Sequence, residues 1–306
     1  MFTRRRTILG ASALAATLPI ATAARAQSWQ AKYPELVLAV VPAENASGVT
    51  ERYAPFTAYL SKALGVKVTL RIANDYAAVI EGQRAGNIHI AAYGPASYAR
   101  AYITKVAVEP FAISINSDGS LGYYSLFYVR SDSPYQKIED LKGKNLGLVD
   151  PNSTSGNNMP RFVLNKLNIV PESFFANVTY TGSHENAILA LQQKTVDVAA
   201  NWWNSEDDSN LSRMEHKNLA KRSDFRTIYK SDLIPNSPYA YLADLPPDLK
   251  AAIRKAIMES PTNDKAAFDK LSDGKDKGFK EVDHAFFQPV VELVLFVDSL
   301  RKQKRT

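Results

Sequence analysis

The feature that most constrains this chain is an alternation of short apolar runs with stretches of helical period, repeated within its first hundred or so residues. Residues 36–41 (LVLAVV) form a continuous apolar run that stops at Pro42, as expected of a strand buried on both faces of a parallel sheet. Apolar positions then recur at helical spacing over 53–64, and 67–72 (KVTLRI) alternates like a strand. The same order returns with a helix over 76–85, a strand over 88–92 and a helix over 96–104. Such repetition predicts a doubly wound α/β fold.

A second set begins near Tyr123, with strands over 126–130, 145–149 and 196–200, a short helix over 137–141 and a longer one over 184–193. Residues 224–230 are read as the start of a return toward the first set, followed by helices over 248–260 and 286–301. The expectation is two lobes: residues 27–122 with 237–306, and residues 123–236. The polar stretch 206–210 reads as a solvated loop or cap.

Residues 1–26 stand apart. Arg4, Arg5 and Arg6 precede an apolar stretch that ends near Ile20, and Ala24-Arg25-Ala26 supplies a small-x-small cleavage pattern. This predicts a signal peptide, of twin-arginine or Sec type, cleaved near Ala26 to release a periplasmic protein. Without that segment the net charge falls from +6 to about +2, which removes the basis for a nucleic-acid partner. The sequence holds no cysteine, so disulfides, thiolate metal sites and cysteine nucleophiles are excluded. Its four histidines, His89, His184, His216 and His284, are too scattered for a metal cluster, and no G-x-S-x-G elbow is present. Neither a metal nor a cofactor is expected, nor is an enzyme; an exported phosphoester hydrolase built on Thr154 or Ser155 with His184 and Glu185 is the weaker alternative.

The most informative segment is Asp150-Pro-Asn-Ser-Thr-Ser-Gly156. It follows a strand and carries three consecutive hydroxyls, Ser153, Thr154 and Ser155. Asn152 or Ser153 can cap a helix whose first-turn N–H groups then lack intrahelical partners, a geometry that suits an anion. Pro160 would fall inside that helix, so a distorted first turn is expected. Ligands of open α/β sheets lie beyond the carboxyl ends of the strands, where Tyr76, Tyr93, this segment and residues 201–204 all fall.

The hydroxyl segment, together with Asn74-Asp-Tyr-Ala77, Tyr93-Gly94 and His184-Glu-Asn-Ala187, resembles the phosphonate/phosphite periplasmic binding proteins, the substrate-binding subunits of phosphonate ABC transporters. The likeness runs over roughly residues 35–300. It implies two α/β lobes joined by two crossover strands and closing over the ligand by hinge motion. It also implies that Ser153, Thr154 and Ser155 donate to the oxyanion from one lobe, Tyr76 and Tyr93 from the other, and His184 through an imidazole N–H. The partners implied are a small oxyanion and the transporter's permease subunits; a monomer is expected.

Where relatives that resemble aminoethylphosphonate binders carry carboxylates for the substrate ammonium, this chain has Asn204 and Ser237. A buried ammonium without a counter-charge is costly, so phosphite or a short alkylphosphonate such as methylphosphonate is the expected ligand. Aminoethylphosphonate, phosphate and sulfate are the alternatives, with Glu206 and Asp207 as substitute carboxylates for an ammonium. Trp202 and Trp203 are expected in the loop after 196–200, walling a small, apolar pocket. Asp150 and Glu44 are candidate acceptors for a protonated oxyanion.

Overall fold

The structure, a computed structural model, describes residues 28–303; the expected signal peptide lies outside the described residues. The first part of the chain runs α1 (Ser28–Lys32), β1 (Glu35–Val40), α2 (Ala46–Leu64), β2 (Lys67–Ile72), α3 (Tyr76–Arg84), β3 (Ile90–Ala92), α4 (Pro95–Ile103) and β4 (Val108–Asn116). Then come β5 (Gly122–Arg130), β6 (Asn145–Leu148), a π-helical turn (Thr154–Asn158) leading into α5 (Met159–Lys166), α6 (Pro171–Phe174), β7 (Asn177–Tyr180) and α7 (His184–Gln192). These are followed by β8 (Val198–Ser205), β9 (Asp208–Ser209), α8 (Asn210–His216), β10 (Phe225–Lys230) and β11 (Ile234–Pro235). The chain ends with β12 (Pro238–Leu242), α9 (Pro247–Asn263), α10 (Lys265–Ser272), β13 (Asp276–Glu281) and α11 (Gln288–Gln303).

Two mixed sheets result, in the order β13-β4-β12-β3-β1-β2 and β10-β5-β8-β6-β7. β1 pairs in parallel with β2 and β3, as the buried apolar run predicts: Leu36, Leu38 and Ala39 are fully buried. Each sheet anchors its own lobe. The chain passes between them twice, after β4 and after β11, and the passages are tied together where the Asn236 N–H donates to the Leu121 carbonyl at 2.9 Å.

Several boundaries differ from the sequence expectation. The first long helix starts at Ala46 rather than residue 53, because Asn45 caps it by accepting from the Gly48 N–H at 2.8 Å. Pro55 is accommodated inside it. Residues 225–230 do not turn back toward the first sheet; β10 pairs antiparallel with β5, and the return comes at β12. β8 runs on to Ser205, so Trp202 and Trp203 lie on a strand, opposite Ser125 and Tyr124, and not in a loop. Their side chains therefore point to opposite faces of the sheet. Of the polar stretch, Glu206 and Asp207 form an exposed turn, whereas Asp208 and Ser209 pair with β8 and Asn210 is buried at the start of α8.

The distorted turn ahead of Pro160 is a π-helical one: the Asn158 N–H donates to the Ser153 carbonyl, five residues back, at 3.0 Å. This extra residue carries the chain into α5 with Pro160 in its first turn, where a missing N–H costs nothing. Gly156 permits the close approach to β6, since a Cβ there would lie 2.4 Å from the Val149 side chain.

Candidate functional site

A cleft of about 240 Å³ lies between the two sheets, lined from both lobes. Of the residues singled out in the sequence, Tyr76, Tyr93, Ser153, Thr154, Ser155, His184, Trp202, Asn204 and Ser237 line it. Trp203 does not. It packs at 5.8 Å from the Tyr124 ring on the other face of the sheet, with the Lys230 ammonium 4.2 Å from its own ring centroid.

The hydroxyl segment, both tyrosines and the histidine form one group. Ser153 caps the π-helical turn, accepting from the Gly156 N–H at 3.1 Å, and Tyr76 hydrogen-bonds to the Ser153 side chain. Thr154 Oγ1 accepts the Ala96 N–H at 2.8 Å, a bond that crosses from α4 in one lobe to the turn in the other. That leaves the Thr154 hydroxyl proton to donate elsewhere. Tyr123, which the sequence reading passed over, faces the hydroxyls of Thr154 and Ser155, and burial pushes its phenol up to about 12. Burial likewise holds the phenols of Tyr76 and Tyr93 far above their ordinary value, so all three are neutral donors.

Two buried polar atoms in this group have no hydrogen-bond partner, the Tyr93 hydroxyl and His184 Nδ1. Tyr93 is 1% exposed and His184 3%. Burial drives the His184 imidazole down to about 3, so it is uncharged at any physiological pH. Unsatisfied buried donors are costly, typically about 1–3 kcal/mol each. Their convergence, one from each lobe, beside three hydroxyls is the signature of a site that an acceptor-rich ligand completes.

Around this group the lobes are latched together. The His184 N–H donates to the Ala43 carbonyl at 3.0 Å, and the Asn45 N–H to Glu185 Oε2 at 2.8 Å. Lys217 bridges Glu44 of one lobe and Glu185 of the other at 2.7 and 2.8 Å. Arg52 also pairs with Glu44, so that carboxylate is held below its ordinary range despite its burial. Neither acceptor considered for a protonated oxyanion is free for that role. Glu44 is consumed by Arg52 and Lys217, while Asp150 accepts the N–H groups of Asn152, at 2.7 Å, and Tyr76.

A second group of polar residues lines the cleft and, among the described residues, shares no hydrogen bond with the first. Asn236 donates to Asn116, Asn116 donates to Asn204 at 3.2 Å, and Asn204 Nδ2 donates to Asp208 Oδ2 at 2.9 Å. Asp276, from β13, also lines the cleft, as does Arg213, whose guanidinium lies 4.9 Å from the Trp202 ring and pairs with Asp273 at 3.0 Å. The wall is less apolar than expected: Trp202 lines the cleft, but the Arg213 guanidinium lies against its ring. Glu206 and Asp207, the substitute carboxylates considered, are exposed at the β8–β9 turn, where Arg222 reaches Asp207 and the Glu206 carbonyl. No sequence motif marks Tyr123, Asp208, Arg213 or Asp276; their spatial grouping depends on pairings between distant strands and helices.

The model of the family described as "ABC transporter, phosphonate, periplasmic substrate-binding protein" matches residues 38–287. The chain belongs to this family. It is 33% identical over 238 residues to the phosphonates-binding periplasmic protein of Escherichia coli strain K12, covering 76% of this chain and 68% of that one. It is 32% identical over 226 residues to the phosphate-import protein PhnD of Mycolicibacterium smegmatis, covering 71% and 69%. Among solved structures, the binding-protein component of a phosphonate ABC transporter from Pseudomonas aeruginosa superposes with a TM-score of 0.78 at 30% identity, covering 88% of each chain. The two-lobed architecture is thus that of a periplasmic solute-binding protein, the component that carries a small ligand to a transporter.

Proposed function

We propose that this protein captures a phosphonate by its PO₃ group in the interlobe cleft and presents it, lobes closed, to the permease subunits of an ABC transporter. The observation that carries this reading is the pair of orphaned polar atoms, the Tyr93 hydroxyl and His184 Nδ1, beside the hydroxyls of Ser153, Thr154 and Ser155. These neutral donors suit an oxyanion in a buried site, because no cation has to be desolvated before the ligand arrives. Hydrogen bonds to a charged group are worth about 1.5–3 kcal/mol, so five or six of them support tight binding. Tyr76 and Tyr93 donate from one lobe, and Ser153, Thr154, Ser155 and His184 from the other. The protein is read as an exported monomer, with lobes of residues 27–122 plus 237–306 and 123–236.

Among phosphorus oxyanions, the expectation of phosphite or methylphosphonate draws support from the donor group. A cleft of about 240 Å³ suits a small phosphonate, and the polar and charged residues beyond that group leave its substituent open between a short alkyl and a polar one. Calorimetric titration of refolded, ligand-free protein with phosphite, methylphosphonate, 2-aminoethylphosphonate, phosphate and sulfate tests the reading. Tight binding of a phosphonate with weak binding of sulfate is the expected result; a preference for sulfate, or no binding by any of the five, overturns it.

A further inference from the structure

The turn that carries Thr154 and Ser155 is braced from behind by side chains that do not line the cleft. It is π-helical, with one residue more than an ordinary helical turn holds, so its shape depends on bonds made from outside its own ladder. Asn157 and Asn158, both buried, supply some of them: their Nδ2 groups donate to the Pro151 carbonyl at 2.8 and 3.2 Å, and Asn158 also donates to the Ser153 carbonyl at 2.8 Å. Asn157 serves in this way only while its nitrogen, and not its oxygen, faces Pro151. Two donors at the other end of the amide settle that orientation. Arg161 Nε, from the first turn of α5, reaches Asn157 Oδ1 at 2.9 Å, and the Tyr180 hydroxyl, at the end of β7, donates to the same oxygen at 3.0 Å.

Arg161 is 6% exposed, and its three nitrogens address three different acceptors: besides the Nε bond to Asn157, Nη1 donates to Glu172 Oε1 at 2.6 Å and Nη2 to the Tyr180 oxygen at 3.4 Å. A planar guanidinium fits that layout, whereas a lysine has a single nitrogen to share among the three. We propose that Arg161 is a positioning residue for ligand capture: acting through Asn157, it holds the Thr154 and Ser155 hydroxyls where the PO₃ group meets them. This rests on the phosphonate reading above and extends it to a residue that the ligand does not touch. Donors already fixed in place leave no ordering cost to the moment of binding, so affinity depends on what keeps them there. The guanidinium acts by geometry, because Glu172 already pairs with its charge.

The test titrates methylphosphonate and 2-aminoethylphosphonate by calorimetry into the wild type, Arg161→Lys and Arg161→Met, with urea unfolding of the same proteins and the phosphorus NMR shift of each bound ligand. Arg161→Lys keeps the charge beside Glu172 and gives up the Asn157 bond. Both ligands share the PO₃ group, so both should weaken by the same factor, about tenfold, and both bound phosphorus shifts should move. Arg161→Met should lose at least as much; if it does not fold, the lysine variant decides. A residue serving only the fold would lower the urea midpoint and leave both affinities and both shifts as in the wild type. Affinities of Arg161→Lys within about twofold of the wild type, or a loss confined to one ligand, overturn the positioning role while leaving the phosphonate reading in place. If neither ligand binds the wild type, both readings fall.

Discussion

Replacing Thr154 by valine keeps the side chain's shape and removes a single hydroxyl; besides the Tyr123 contact, which Ser155 shares, two interactions depend on that oxygen. One is the bond accepted from the Ala96 N–H at 2.8 Å, which joins the two lobes and so has to break when they open. The other is the donation to the oxyanion. Loss of a hydrogen bond to a charged group costs about 1.5–3 kcal/mol, and leaving the buried Ala96 N–H unsatisfied costs about 1–3 more. The sum, about 2.5–6 kcal/mol, is a loss of affinity of roughly a hundredfold to ten-thousandfold. Ser155→Ala is the control. The Ser155 carbonyl accepts from the Ser125 hydroxyl, so its backbone contact survives, and its own hydroxyl makes no lobe-crossing bond among the described residues. It should lose only the first contribution, about ten- to a hundredfold. Because the Ala96 bond belongs to the closed state, the additional loss in the valine variant should fall mainly on the dissociation rate, measured by stopped-flow with tryptophan fluorescence. A valine variant no weaker than Ser155→Ala would refute the argument that Thr154 serves closure and ligand together.

Lys217→Met removes the cation between Glu44 and Glu185, both buried, and Arg52 then compensates only Glu44. Affinity should drop by about ten- to a hundredfold, with a weaker dependence on ionic strength than in the wild type; an affinity within twofold of wild type would count against the latch. The His184 imidazole, held down to about 3 by burial, gives a pH-dependent stability. Its folded value lies below its unfolded one, so the unfolded chain binds the extra proton first, and stability present above about pH 6.5 is lost as pH falls toward 3. Between pH 7.5 and 4.5 that amounts to about 2–3 kcal/mol, which His184→Gln should abolish in urea unfolding of the ligand-free protein. Parallel pH profiles for the two proteins would contradict the assignment of a neutral, buried ring.

The parallel core of the first lobe was legible because local pattern and tertiary role agree there. Residues 36–41 are apolar throughout since β1 is covered on both faces, and Pro42 ends the run where the strand ends. β13 was not legible. Its sequence, DKGFKE, carries four charged residues because the strand lies at the edge of its sheet and shows most of its side chains to water or to the cleft. The extension of β8 through Trp202 and Trp203 was missed for a related reason: the run of two tryptophans between asparagines has no clean period, and its strand character comes from pairing with β5. The start of α2 depends on the Asn45 cap, which sits ahead of a turn with little apolar signal.

The same distinction separates the two halves of the candidate site. The oxyanion half is built from short contiguous segments at strand ends and helix starts, so its chemistry is concentrated in the sequence as Ser153-Thr-Ser155, Tyr93-Gly94 and Ser183-His184. The acidic half is assembled from β13 and the β8–β9 hairpin, 68 positions apart at Asp208 and Asp276, and neither residue carries a local mark. Asking only whether positions 204 and 237 were acidic therefore gave an incomplete account of charge in the cleft. Residues of the cleft that come from different sheets, such as Asp208 and Asp276, are therefore found only once the fold is in hand.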